Sequence, residues 1–176
     1  FWGVSLIEDP HHCSEYFISS YAKLFTDLGD LEKNDNELWM ISVHWGDEYI
    51  TKPSKQQIEL GHRLVDFGFD FIIGHHPHVI QGIEKYRGKY ILYSLGNFLF
   101  DQHGEEEKES IIFSCDFGEG GLLFPNIIPI EIINYQTKSA SEEKAGKIIT
   151  KIHLVSDQGK IFFQKNDDKY YIKEIE

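Results

Sequence analysis

Two apolar runs that each end in histidine constrain this chain more than any other feature. Leu38 to Val43 reads as a buried strand and runs into His44-Trp45-Gly46-Asp47-Glu48. Phe69 to Ile73 reads as a second buried strand and runs into Gly74-His75-His76-Pro77-His78. Between them lies a helix signal. Pro53 stands near its first turn, Ser54 to Gln57 matches a capping box, Ile58, Gly61, Leu64 and Val65 recur at helical spacing, and Gly68 stops it. Two buried strands joined by a crossover helix are expected to run parallel, with their carboxyl ends on one edge of the sheet. Ligand sites of open α/β sheets form at that edge. The pattern therefore brings His44, His75, His76 and His78 together, four of the nine histidines.

Residues two apart in an extended segment face the same way. Pro77 biases His76 toward extended geometry, so His76 and His78 are expected to share the cleft while His75 points elsewhere. Neutral imidazole suits Zn, Fe, Mn and similar divalent ions, and His44, His76 and His78 with Glu48 make a plausible partial shell. Asp47 is a weaker carboxylate candidate. His62 lies by the helical apolar stripe and reads as packing. His11, His12, His103 and His153 read as loop or peripheral residues. A third segment, Tyr93-Ser94-Leu95-Gly96-Asn97-Phe98, follows a short apolar strand. Asn97 offers both a donor and an acceptor, for a substrate oxygen, a metal-bound water or its own turn.

The rest of the chain reads as follows. Phe1 to Ile7 is a strand. An apolar stripe from Phe17 to Leu28 is a helix, with Ser14 as N-cap and Gly29 beyond its end. Val79 to Tyr86, Lys89 to Tyr93 and Ser110 to Phe117 are strands. From Gly118 onward, Leu122 to Tyr135, Lys147 to Val155, Lys160 to Gln164 and Tyr170 to Ile175 read as strands without intervening helices, and Thr137 to Gly146 is polar and expected to be exposed. The expected architecture is one α/β domain over 1–176, with an α/β part (1–117) and a β-rich part (118–176).

Charge narrows the function. With 17 basic and 29 acidic residues the net charge is −12, which argues against nucleic acid as a partner. An anionic substrate would need a local source of positive charge, and a bound cation is the obvious one. Cys13 and Cys115 have no short spacing, so neither a disulfide framework nor a cysteine zinc site is expected. No apolar run approaches the ~20 residues of a membrane span. The chain begins at Phe1 and its one methionine is Met40, so it reads as a piece of a longer protein.

The segments His44 to Glu48, Phe69 to Val79 and Tyr93 to Phe98, in that order, resemble the capsule synthesis protein CapA family of poly-γ-glutamate and capsule production. The resemblance implies a fold similar to the calcineurin-like metallophosphoesterases, here a partial β-sandwich flanked by helices. It implies metal ligands at His44, His76 and His78, with His75, Glu48 and Asn97 as catalytic candidates and divalent Mn, Fe or Zn as cofactor. The extra His75 after Gly74 leaves the assignment in that cluster open by one residue. The superfamily's earlier motifs (Asp-x-His, Gly-Asp, Gly-Asn-His) do not precede His44, and Asp9, His11 and His12 lack their order. The chain thus resembles the C-terminal half of the family domain. Two functions follow as expectations: a metal-dependent hydrolase of a phosphoester or an anionic polymer, or a non-catalytic accessory component working with membrane-bound capsule synthesis subunits. The family implies work at the cell envelope.

Overall fold

The computed structural model describes residues 2–5, 21–29, 31–118, 121–156 and 160–175. Ser14, Phe17, Ile18, Asp9, His11, His12 and Cys13, singled out above, lie outside them. The elements run β1 (Trp2–Ser5), α1 (Tyr21–Leu28), β2 (Met40–His44), α2 (Lys55–Phe67), β3 (Phe71–His75), β4 (Ile83–Tyr86), β5 (Lys89–Leu92), β6 (Glu109–Gly118), β7 (Gly121–Ile133), β8 (Gln136–Ser139), α3 (Glu142–Val155), β9 (Ile161–Asn166) and β10 (Lys169–Glu174). This is a mixed α/β fold with two sheets and few helices.

The first sheet has the order β1-β2-β3-β5-β4. Strands β1, β2, β3 and β5 are parallel and β4 closes one edge antiparallel, so the crossover through α2 gives the parallel pair expected of it. Helix α2 starts with the Ser54–Gln57 capping box and ends at Gly68. The second sheet is antiparallel, in the order β6-β7-β10-β9, with β8 on β7. It begins at Glu109, inside the stretch assigned to the α/β part.

Period-two alternation separates two cores. From β2, β3 and β5, Ile41, Val43, Ile72 and Ile91 face one way and pack with Leu24 and Leu28 of α1 and Leu60 and Leu64 of α2. Phe71, Tyr90 and Leu92 face the other way, onto Ile111, Ile127, Ile161 and Tyr170 of the second sheet. Phe71 and Phe113 join the sheets ring to ring at 4.8 Å.

Several expectations are overturned. Lys147 to Val155 is not a strand but the body of α3. Ala145, Ile148 and Ile152 are its buried stripe, at helical and not alternating spacing, and Ser141 caps its N-terminus. Thr137 to Gly146, largely exposed as expected, holds most of β8 and the first turn of α3. Strand β7 stops at Ile133, because Asn134 and Tyr135 turn with φ of 50° and 63° into β8. Val79 to Tyr86 is a strand only from Ile83, with Ile80 making an isolated bridge to Leu95. No helix among the described residues is long and apolar enough to cross a membrane.

Candidate metal centre

The tips of β2 and β3 are built around a crossing that only glycine allows. Trp45 is buried, and its indole Nε1–H donates to the Tyr93 carbonyl at 2.8 Å. That bond passes directly over Gly74. A Cβ at position 74 would lie 2.0 Å from the Tyr93 oxygen and 2.4 Å from Trp45 Nε1. Trp45 N–H also donates to the His75 carbonyl, and Tyr49 N–H to the Pro77 carbonyl at 2.8 Å, so the two histidine loops are laced by backbone as well. His44 and His75 are cross-strand partners in the β2–β3 register.

Beyond His75 the backbone does not stay extended. His76 has φ 104° and His78 φ 61°, so the expected effect of Pro77 on His76 is overridden. The chain coils over the sheet edge, where residue alternation no longer applies. The rings still converge. His76 Nδ1 lies 3.0 Å from His44 Nε2, and the rings of His76 and His78 are 5.9 Å apart. One ligand atom each from Glu48, His76 and His78 falls within 4.8 Å of the others. His44 stands beside this trio through its bond to His76. His75, expected to point away, instead lines the same cleft as His44, because it shares the inner face of β3 with Phe71 and Ile73.

Asn97 lines the cleft and, instead of closing its own turn, bonds to His78 and to the 102–107 segment. Its Nδ2 donates to the Glu107 carbonyl at 3.0 Å and to Gln102 Oε1 at 2.9 Å. A carbonyl can only accept, which fixes the amide's orientation and leaves Oδ1 facing His78 Nδ1 at 2.8 Å. His78 is therefore protonated at Nδ1 and keeps its Nε2 lone pair for a ligand. Gln102 in turn donates to the Tyr49 hydroxyl at 3.0 Å, and the Tyr49 ring stacks on His78 at 6.1 Å. Sequence reasoning missed Tyr49, Gln102 and Glu107. Only the position of Tyr49 directly after Glu48 offered a signal.

Burial lowers three of the imidazoles, His44, His75 and His76. Desolvation, then the neighbouring rings of His76, His75 and His78, pushes His44 down to about 4. Burial also lowers His75. His76 is lowered by burial, against the pull of the Glu48 carboxylate. The cleft holds about 610 Å³ and is walled by Leu92, Ile111 and Phe113, and among the described residues no lysine or arginine lines it. Phe98, Leu99 and Phe100 are exposed at its rim. His62 packs as expected, bonded to Glu84 at 2.8 Å and stacked on Tyr86.

The comparisons with known proteins converge. Residues 8–102 match the family of the bacterial capsule synthesis protein PGA_cap. The capsule biosynthesis protein CapA of Bacillus anthracis is 35% identical over 145 residues, which is 82% of this chain and 35% of that protein. The PGA biosynthesis protein CapA of Bacillus subtilis is 36% identical over 110 residues, 62% of this chain and 29% of its own length. A probable polyglutamine synthesis accessory protein of Mycobacterium tuberculosis is 29% identical over 148 residues, 80% of this chain and 37% of its own. The chain thus spans about a third of the length of the curated relatives it matches.

Proposed function

Because this chain belongs to the bacterial capsule synthesis PGA_cap family, we propose that it carries the cation site of a capsule or poly-γ-glutamate biosynthesis protein that works as a metal-dependent hydrolase. The observation that supports this most is the convergence of Glu48, His76 and His78 within 4.8 Å, with His78 held in the tautomer a ligand needs. The donor set of two imidazoles and one carboxylate suits Mn, Fe or Zn. Glu48, His76 and His78 would hold the ion, His44 would brace His76, and Asn97 would brace His78. A divalent cation there supplies Lewis acidity toward a phosphoryl or carbonyl oxygen. It also supplies positive charge, which no lysine or arginine among the described residues brings to the cleft and which an anionic polymer or a phosphoester needs in a chain of net charge −12.

The chain's own groups do the rest. Leu92, Ile111 and Phe113 give the cleft an apolar wall beside the imidazoles. His75, neutral because burial lowers it, is placed to accept a proton, and Glu48 is the alternative acceptor. The test is elemental analysis of the full-length protein. It is expected to hold stoichiometric transition metal, and the double substitution His76→Ala with His78→Ala is expected to abolish it. Metal content unchanged by that pair ends the reading. A second reading, an accessory component without turnover, is favoured by the name of the mycobacterial relative and by the exposed Phe98, Leu99 and Phe100 at the rim. Under it, membrane-bound capsule synthesis subunits are the partners. Metal retained with no hydrolysis of phosphoester or γ-glutamyl amide would select it.

A further inference from the structure

Two buried glutamines do not line the cleft. Gln57 is 2% exposed and Gln81 is 0% exposed. A buried carboxamide is costly unless its groups are paired, and these two are paired with each other. Gln57 Nε2 donates to Gln81 Oε1 at 2.8 Å. Gln81 Nε2 donates to the Ile50 carbonyl at 2.8 Å, and Gln57 Oε1 accepts from the Ser54 N–H at 3.0 Å.

The three ends of this relay sit on the three segments that build the site. Gln57 belongs to the first turn of α2, Gln81 follows His78 by three residues, and Ile50 follows Glu48 by two. The loop between β2 and α2 also rests on the relay from above. A Cβ on Gly46 would lie 2.7 Å from the Gln57 carboxamide, and Gly46 has φ 83°. The Glu48 loop is therefore clamped between the amides below and the Tyr49–Pro77 backbone bond.

We propose that the Gln57–Gln81 pair is the positioning element that fixes Glu48 against His76 and His78, and so sets how tightly this site closes on a divalent cation. The inference rests on the reading of that trio as a cation site. Neutral amides suit the task, because their bonds do not rearrange when charge arrives next door, as those of a buried ion pair would. Gln81→Leu leaves the Gln57 Nε2 and the Ile50 carbonyl unpaired and frees the loop. Gln81→Met keeps the length of the side chain but has neither the acceptor for Gln57 nor the donor to Ile50, so it serves where the leucine variant fails to fold.

The experiment uses the full-length protein and two readouts. The first is hydrogen exchange at the Tyr49 amide without metal, compared with the core amides of Ile41 and Ile72. The second is Mn²⁺ titration by calorimetry. Expected in both variants is faster exchange at Tyr49 with the core amides unchanged, and Mn²⁺ affinity lower by roughly ten- to a hundredfold. Unchanged Tyr49 protection, or Tyr49 and core amides accelerating together, overturns the inference, since the pair would then only support the fold. Wild type that binds Mn²⁺ and variants that bind it equally well overturn the inference alone. Wild type that takes up no Mn²⁺ overturns the cation site itself, and the inference with it.

Discussion

His44, held against His76 at the strand tips, shows how a single side chain in the cleft carries a pH-dependent cost to the fold. Its ring is held neutral by desolvation and by three neighbouring imidazoles, down to about 4 against an ordinary 6.5. A lowered histidine favours the neutral form in the fold. The unfolded chain takes up that proton first as pH falls, so the contribution to stability is complete above 6.5 and is lost as the pH falls through about 4. In the metal-free protein, an NMR titration of the His44 ring is expected to show its midpoint near 4, and a midpoint near 6.5 would contradict the crowding described. At this scale the sequence was legible in identity but not in posture. His44, His76, His78 and Glu48 were named from spacing alone. The positive φ of His76 and His78 was not, because it arises where the strand ends and, at His76, tertiary contacts outweigh the local preference of the residue before proline; His75 still lies in β3 and follows Phe71 and Ile73 onto the cleft face. Asn97 carried no sign of which of its possible partners it would meet. Its role as the brace of His78 depends on a carbonyl ten residues further on.

Among the elements, α3 is the instructive one. Lys147 to Val155 is rich in β-branched residues and looks like a strand. Tertiary burial decides otherwise: Ile148 and Ile152, one helical turn apart, are both fully buried, while Leu154 is 62% exposed. In a strand, Ile152 and Leu154 would share a face. Ile152→Ala is accordingly expected to cost roughly 2–4 kcal/mol, and Leu154→Ala to stay within about 0.5 kcal/mol. Denaturant unfolding of the two variants checks this, and equal losses would contradict the helical arrangement. Helix α2 was legible throughout, since its cap, its stripe and its stop are all local signals that agree with one another.

Across the molecule, the first sheet has two unlike ends. At the carboxyl ends of the strands the loops open into the histidine cleft. At the opposite end Asp70, 5% exposed, ties three segments together, accepting from Lys33, from Lys89 and from the Trp39 N–H. Burial alone would raise this carboxyl, and the hydrogen bonds from Lys33, Lys89 and Trp39 reverse that and hold it below 3.8. A depressed carboxyl contributes stability that is present above 3.8 and lost as pH falls through its folded value. Asp70→Asn should therefore lower stability at pH 7 by about 1–3 kcal/mol, and the gap to wild type should narrow below pH 3.8. Thermal melts at both pH values measure it, and a gap that stays constant would refute the electrostatic origin. This closure was not legible in the sequence, because Lys33, Asp70 and Lys89 lie far apart along the chain and only the parallel register brings them together.

The glycine crossing at the tip of β3 separates what can vary in this protein from what cannot. The indole that spans Gly74 belongs to the scaffold, and no side chain, however small, can be threaded beneath it. The imidazoles and Glu48 stand outside that crossing, on strand tips and loops. Exchanging those side chains is therefore expected to leave the frame of residues 45, 74 and 93 intact, whereas any side chain added at position 74 breaks it.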